Sequence, residues 1–209
     1  MRKILILFVC LLIVKSSLSQ SIQAIPSQIF SSNLGLVKLG TGDSYGLMIG
    51  MEYERQFRPR FLWSTELATT IHDGADILKV KLDNLPEQDL SYRYTIAAIQ
   101  IAGKIGYYFL RTNQFEIGGK AGLLARYQSS SLADDREVLF PALTGYPLPL
   151  RINRNTEPQR TFSGGVTLQI FARHNLKNNW TIGATTGLQL DTNGDVIFPQ
   201  FLISIGKRF

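Results

Sequence analysis

The chain has 209 residues, a formal net charge of +6 and a charged fraction of 18%, below the ~25% typical of soluble domains. Three of the basic residues, Arg2, Lys3 and Lys15, lie near the N-terminus, and a chain that lacks them carries +3. So mild a charge, with no basic run in the remaining sequence, argues against nucleic acid as a partner.

The N-terminus has the layout of a secretory signal peptide. Two positive charges precede the eleven apolar residues 4–14, and small residues precede Gln20. The apolar run is shorter than the ~20 residues of a membrane-spanning helix. The single cysteine, Cys10, lies inside this run, so the exported chain has no thiol for a disulfide or a metal. We expect a signal peptide at 1–19, one exported domain at 20–209, and no cofactor.

Eight later segments alternate between apolar and polar residues with a period of two. In the fifth segment, Leu123 and its odd-numbered neighbours form an uncharged face, and Glu116 and Lys120 lie on the other. The remaining segments lie near residues 29–38, 45–54, 61–71, 96–107, 162–173, 180–190 and 197–209. The last segment is predicted to place on its apolar face Ile197, Phe201, Ile203, Ile205 and Phe209. This pattern is typical of β-strands.

Alternation alone also fits a soluble barrel with an apolar interior. Here the polar face consists mostly of Gly, Ser and Thr, which suits a narrow interior better than a solvated surface. Short turns near residues 58–59, 112–113 and 175–178 lie at one end, and the long connections 72–91 and 129–160 lie at the other. We therefore predict an all-β, eight-stranded antiparallel transmembrane up-and-down β-barrel in the outer membrane, surrounded by its lipids.

Aromatic residues on the apolar face collect at the strand ends, as they do at the two interfaces of a membrane barrel. The group at the short-turn end comprises Phe30, Tyr53, Phe61, Trp63, Tyr107, Phe115, Trp180 and Phe209. The group at the other end comprises Tyr45, Tyr127 and Phe162. The terminal Phe209 is predicted to serve as an assembly signal for the barrel-assembly machinery.

The chain resembles the small outer-membrane barrels of the OmpA/OmpX type, and more particularly the outer-membrane barrels of Bacteroidetes-like bacteria. The resemblance is carried by Gln20 after the signal, by the pairs Gly118-Gly119 and Gly164-Gly165, and by the ending 205–209. Lys207 departs from it, since an aromatic residue is common at that position. The resemblance implies a membrane barrel and specifies no ligand.

The charges predicted to face the barrel interior are nearly balanced. They are Glu52, Glu54, Glu66, Lys104, Glu116, Lys120, Arg126, Arg173 and Arg208. The lumen of an eight-stranded barrel is just wide enough for side chains to fill it, and a buried unpaired charge is costly. We therefore predict an ion-paired plug, with a narrow gated pore as the alternative.

An enzymatic alternative rests on His72, which lies beside Asp73 and near Ser91 in sequence. Barrels of this size that modify lipid A use such residue types near the membrane surface, but nothing in the sequence places a nucleophile beside its base. His174 is predicted to be a solvated turn residue. The segment Asp191–Asp195 resembles the start of a calcium loop, but Asn-Gly at its centre favours a hairpin turn. No catalytic or metal-binding residue is predicted.

The connection from Val138 to Leu150 is strongly apolar for an external loop. It either folds over the barrel mouth or forms a contact surface for another protein or a lipid. The residues of this predicted contact segment are Phe140, Leu143, Tyr146 and Leu148. The sequence thus favours a non-enzymatic barrel with a structural or surface-interaction role, and it leaves a lipid A-modifying enzyme or a narrow pore as alternatives.

Overall fold

The computed structural model describes residues 28–40, 44–81, 87–138, 150–154 and 159–209. The predicted signal peptide and residues 139–149 of the apolar connection lie outside these ranges. The strands are β1 (Gln28–Leu39), β2 (Ser44–Arg58), β3 (Phe61–Asp76), β4 (Lys79–Val80), β5 (Gln88–Asp89), β6 (Tyr92–Arg111), β7 (Phe115–Ser130), β8 (Ala133–Val138), β9 (Leu150–Arg154), β10 (Arg160–Asn175), β11 (Trp180–Asp191) and β12 (Val196–Arg208). Within the described ranges, no helix is long and apolar enough to cross a membrane.

Eight of the strands close into one barrel in the order β1-β2-β3-β6-β7-β10-β11-β12, and β12 pairs with β1 to complete the ring. Every neighbouring pair is antiparallel. The remaining four strands form two short hairpins, β4–β5 and β8–β9, in the long connections. The predicted eight-stranded up-and-down barrel is confirmed.

The outward face of the barrel carries large apolar side chains. Leu168 is 53% exposed, Ile105 is 62% exposed and Leu123 is 70% exposed. Water would disfavour so much uncovered apolar surface, whereas lipid does not, and the closed ring leaves no strand edge unpaired in the hydrocarbon. The facing predicted from the sequence period is confirmed, and the fold is that of a transmembrane barrel.

An aromatic belt surrounds the short-turn end of the barrel. Edge-on ring pairs join Tyr53 to Trp63 at 5.6 Å and Phe61 to Tyr107 at 5.1 Å between centroids. We call this set the inner belt, and it comprises Phe30, Tyr53, Phe57, Phe61, Trp63, Tyr107, Phe109, Phe115, Trp180 and Phe209. Aromatic rings at this height are typical of the membrane–water interface.

The last strand corrects one assignment made from the sequence. Ile197 is 1% exposed and lies inside the barrel, whereas Phe198 is 60% exposed. The register of β12 shifts between Ile197 and Gln200 against both neighbouring strands. Because Pro199 has no N–H to donate to the ladder, it is accommodated at a bulge, and a bulge inverts the alternation beyond it. The prediction that Ile197 faces outward was wrong.

The strands continue further at the long-loop end than the apolar pattern indicated. The β3–β6 ladder extends to the pair Asp76–Tyr92, so the connection between these strands is 77–91 instead of 72–91. In the second connection β7 extends to Ser130, and the hairpin β8–β9 occupies part of the predicted loop 129–160. Backbone pairing does not require an apolar face. Outside the bilayer the alternation of apolar and polar residues is lost, so the sequence pattern ends before the strands do.

Candidate functional site

The interior of the barrel holds a connected set of ionised side chains. Strand geometry places every second residue inward, and this spacing brings together eight of the nine predicted residues. A register shift in β6 adds one more, Arg111. We call this set the lumen network; it comprises Glu52, Glu54, Glu66, Lys104, Arg111, Glu116, Lys120, Arg173 and Arg208. Four carboxylates thus face five cations.

One half of the network is organised around two lysines. Lys104 Nζ lies 2.7 Å from Glu66 Oε2 and 3.0 Å from Glu52 Oε1. Lys120 Nζ lies 2.9 Å from the other oxygen of Glu52 and also contacts Glu54. Ser64 Oγ donates a further hydrogen bond of 2.7 Å to Glu52 Oε1. Each carboxylate of this half therefore contacts at least one ammonium group.

The other half is built on arginines near the short-turn end. Arg173 Nη2 donates to both oxygens of Glu54, at 3.0 and 2.8 Å. Arg208 Nη2 lies 2.6 Å from Glu116 Oε2, and Arg111 Nε donates to Glu116 Oε1 at 3.1 Å. Glu54 therefore joins the two halves, because it accepts from Lys120 as well as from Arg173.

The ninth predicted residue, Arg126, lies outside this network. It is 2% exposed, its Nη1 lies 3.7 Å from Asp191 Oδ2, and its Nη2 lies 3.5 Å from Thr70 Oγ1. Asp191 also accepts a hydrogen bond of 3.2 Å from Ser163 Oγ. Arg126 thus binds to the β11–β12 turn near the long-loop end and forms a second, smaller polar cluster.

Apolar side chains fill much of the remaining interior. At the short-turn end Tyr108 and Phe171 pack edge-on at 5.7 Å, with Leu62 beside them, and Arg111 lies over the Tyr108 ring at 4.8 Å. Toward the long-loop end a second buried cluster comprises Val37, Leu39, Met48, Ala68, Ile197 and Leu202. A cavity of about 10 Å³ lies between Ser31, Thr185 and Arg173, which is about the space of one water molecule.

The chemistry of this interior is that of a plug. Burying a charge is very costly unless it is paired and hydrogen-bonded, and each acid in the network lies next to a base. An ion that crossed the barrel would have to separate such pairs and displace the packed rings of Tyr108 and Phe171. The arrangement suits a closed lumen.

Two members of the interior were missed by sequence reasoning. Arg111 follows a register shift between Tyr108 and Leu110, and this shift turns it toward Glu116. Asp191 was assigned to a turn, which it does form, but its second carboxylate oxygen points to Arg126. A period-two count misses Arg111 because of this shift, whereas Asp191 continues the inward positions of β11 and was missed only because its segment reads as a turn.

The residues of the enzymatic alternative do not meet. His72 is fully buried inside the barrel, whereas Asp73 lies on the outward face and pairs with Arg93. Ser91 Oγ accepts a hydrogen bond of 3.0 Å from the Leu78 amide. His174 lies on the outward face at the end of β10, where its ring is 6.4 Å from that of Phe115. No nucleophile, base and orienting acid come together among these side chains.

The segment that resembles a calcium loop forms the β11–β12 turn. Asp191 Oδ1 accepts hydrogen bonds of 3.0 Å from the amides of Asn193 and Asp195, and Gly194 has a φ of +81°. The carboxylate therefore closes the turn on itself, as Asp does in short turns. Within the described residues, no group of three or more His, Cys, Asp or Glu side chains is arranged to hold a metal ion.

Two predicted sites remain, the contact segment of the long loop and the assembly signal Phe209. The contact residues Phe140, Leu143, Tyr146 and Leu148 lie outside the described residues. Phe209 is 66% exposed at the inner belt, and its amide donates a 3.0 Å hydrogen bond to the Gln28 carbonyl on β1. The final residue therefore takes part in closing the barrel.

No protein-family model and no curated protein sequence matches the chain. Solved structures do. Ail, the attachment invasion locus protein of Yersinia pestis, aligns with a TM-score of 0.52 and 10% identity over 88% of this chain and 100% of its own. Its complex with the heparin analogue sucrose octasulfate gives a TM-score of 0.54, again with 10% identity. Neisserial surface protein A gives 0.54 with 9% identity over 87% of this chain and 97% of its own.

These likenesses concern the fold. Together with the closed ring and its apolar exterior, they define the chain as a small eight-stranded β-barrel of the outer-membrane type. The more particular resemblance to barrels of Bacteroidetes-like bacteria stays a prediction.

Proposed function

We propose that the protein is a non-enzymatic integral protein of the outer membrane whose barrel is a closed scaffold and whose external loops carry its interactions. The observation that carries the proposal is the set of ion pairs across the lumen, above all Glu54 with Arg173. An interior that is bridged from wall to wall is suited to stability, and interaction is then left to the ends of the barrel. The barrel-assembly machinery and the surrounding lipids are its other expected partners.

The long-loop end provides a stiff base for such contacts. The β3–β6 ladder continues past the level of Tyr45, which is in register with Asp73, as far as the pair Asp76–Tyr92. Tyr92 Oη donates a 2.9 Å hydrogen bond to Asp76 Oδ2 across this extension. Paired strands of this kind extend the ordered part of the barrel beyond the level of Tyr45.

The apolar connection between β8 and β9 is the proposed contact segment. The segment is strongly apolar in sequence, and large apolar patches on a protein surface usually mark interaction sites. Pro141, Pro147 and Pro149 restrict the backbone and so reduce the entropy that is lost on docking. A protein partner with an apolar surface is the occupant that this segment fits best.

The enzymatic alternative has less support, because His72 points into the barrel and Asp73 points away from it. The pore alternative has less support, because the Glu54–Arg173 ion pair and the packed rings of Tyr108 and Phe171 lie across the lumen. Neither alternative explains why the most apolar loop lies at the long-loop end.

The test is site-specific cross-linking from the external loop. A photoreactive residue at Thr144 is expected to give a discrete protein adduct on intact cells. Replacing Phe140, Leu143, Tyr146 and Leu148 by Ser should abolish that adduct while heat-modifiable mobility shows a folded barrel. A matched control replaces Ile77, Leu78, Leu85 and Leu90 in the other long connection by Ser, and it should leave the adduct unchanged.

Adducts that persist unchanged in the contact-segment variant would refute the surface-interaction proposal. If lipid A is also altered in cells that carry His72→Ala, the enzymatic alternative replaces it. Unaltered lipid A in those cells is the outcome that the buried position of His72 predicts.

A further inference from the structure

The charged side chains that are exposed at the short-turn end of the barrel are all basic. Five basic side chains are exposed there, and we call them the basic collar: Arg55, Arg58, Arg60, Lys177 and Lys207. Among the described residues of this end, 28–30, 55–61, 107–116, 174–180 and 205–209, the single acid is Glu116, which is fully buried in the lumen network. The collar therefore has no exposed carboxylate side chain near it.

The opposite end is different, because acids and bases alternate there. Asp73 pairs with Arg93, and Lys79 Nζ lies 3.7 Å from Glu87 Oε1. Within the described residues, no ion pair is recorded for the side chains of the collar. A single-sign surface confined to one end implies a negatively charged partner at that end.

Four members of the collar lie next to residues of the inner belt. Arg55 is in register with Trp63 on the neighbouring strand, and Arg58 is in register with Phe61. Arg60 Nη1 donates a 3.2 Å hydrogen bond to Tyr107 Oη. Lys207 Nζ lies 5.7 Å from the centre of the Trp180 ring. Four of the five cations therefore lie beside aromatic residues of the inner belt.

Aromatic rings of this kind sit at the level of lipid headgroups. Guanidinium and ammonium groups beside them are within reach of phosphate oxygens, which Arg binds through paired hydrogen bonds and Lys as a point charge. We propose that the basic collar binds anionic phospholipid headgroups of the leaflet that surrounds the short-turn end. The position of these cations beside the interfacial rings favours a lipid over a soluble acidic polymer.

This inference rests on the proposed location in the outer membrane, and the chain supplies its own probe for it. Both of its tryptophans, Trp63 and Trp180, lie in the inner belt beside the collar. Quenching of their fluorescence therefore reports on lipids at this end alone, whichever way the barrel is inserted.

The mature chain is refolded into phosphatidylcholine vesicles that contain a minor fraction of lipid brominated at shallow acyl positions. The brominated lipid is either phosphatidylglycerol or phosphatidylcholine. We expect the anionic lipid to associate about fivefold more strongly, the ratio that corresponds to about 1 kcal/mol for one basic side chain at a membrane surface. Raising the salt concentration should lower this ratio.

The variant R55Q/R58Q/R60Q/K177Q/K207Q should bring the ratio close to one. The matched control K38Q/K79Q/K81Q/R93Q/R160Q removes five cations from the other end and should retain the ratio of the parent. Heat-modifiable mobility shows in each case that the barrel has folded.

Equal quenching by the two lipids in the parent, or an unchanged ratio in the collar variant, would overturn the inference. If quenching is equal while soluble polyglutamate shifts the tryptophan emission of the parent and not of the collar variant, the partner is a soluble polyanion and the lipid is excluded. A parent that fails to insert into any vesicle would instead refute the proposed membrane location, so the two failures are distinguishable.

Discussion

Arg173 donates hydrogen bonds to both carboxylate oxygens of Glu54, at 3.0 and 2.8 Å, across the full width of the barrel. Glu54 lies on β2 and Arg173 on β10, which are four strands apart in either direction around the ring of eight. Two long side chains from opposite walls therefore meet in the middle. The Lys120 ammonium group also reaches this carboxylate from β7, so the centre of the lumen is occupied from three strands.

Breaking this pair from one side should destabilise the barrel strongly. The variant Glu54→Leu leaves buried Arg173 with only its 3.9 Å contact to Glu116, and we expect a loss of about 3–5 kcal/mol in the free energy of unfolding. The measurement is denaturant unfolding in lipid vesicles, followed by heat-modifiable mobility.

The double variant Glu54→Leu/Arg173→Met provides the control. It removes both charges and leaves Lys120 paired with Glu52, and Glu116 paired with Arg208. We expect the double variant to lose less free energy than Glu54→Leu alone, because no charge is left without a partner. The single variant Arg173→Met is measured as well. A double variant whose loss of unfolding free energy equals the sum of the two single losses would contradict the buried-pair interpretation.

Two glycines on neighbouring strands should differ sharply in their tolerance of a methyl group. A Cβ at Gly122 would meet the carbonyl oxygen of Gly103 and lie 2.7 Å from Lys104 Cα, so Gly122→Ala should push β6 and β7 apart at a cost of about 1–3 kcal/mol. A Cβ at Gly103 meets nothing within 4 Å. Gly103→Ala should therefore be nearly neutral in the same unfolding experiment, and equal costs would show that the strands are further apart than described.

The depth of a charge on the lipid face should set its cost. Leu168 lies midway along β10 and is 53% exposed, and Leu168→Arg should cost about 2–4 kcal/mol. Phe162, at the outer end of the same strand and 73% exposed, should tolerate Arg at a cost of about 0–1 kcal/mol. If both changes cost the same in lipid vesicles, the membrane does not lie where the aromatic residues place it.

The terminal residue should matter for assembly. Deleting Phe209 removes an aromatic side chain from the inner belt and the hydrogen bond from its amide to the Gln28 carbonyl. We expect less folded protein in the outer membrane in a pulse-labelling experiment, with export across the inner membrane unchanged. Phe209→Tyr keeps the ring and the amide and should assemble normally, and normal assembly of the deletion variant would refute this role.

Much of the barrel is predictable from the period-two pattern, because a lipid-facing strand must place apolar residues outward wherever it crosses the bilayer. The exceptions have local causes. Ile197 faces inward because Pro199 forces a bulge, and Arg111 reaches the lumen because β6 shifts register after Tyr108. The outer ends of β3 and β6 cannot be predicted from the alternating pattern, because they pair through backbone groups where no apolar face is required.

The pairing inside the lumen is not predictable in the same way. Sequence places Glu54 and Arg173 inward, but which acid meets which base depends on the tilt and stagger of the closed ring. The link from Lys120 to both Glu52 and Glu54 is an example, since these strands are not neighbours. The pairing depends on how the whole barrel closes, and it therefore cannot be predicted from any single strand sequence.

The central claim is that the lumen is closed, and electrical recording across a planar lipid bilayer tests it most directly. Residues 20–209, refolded and added at increasing amounts, should give no stepwise conductance, because Glu54 with Arg173 and Tyr108 with Phe171 occupy the path. A general porin in the same bilayer shows that channels are detected. Discrete conductance steps from the folded parent protein, absent when it is omitted, would contradict the closed scaffold and establish a pore in its place.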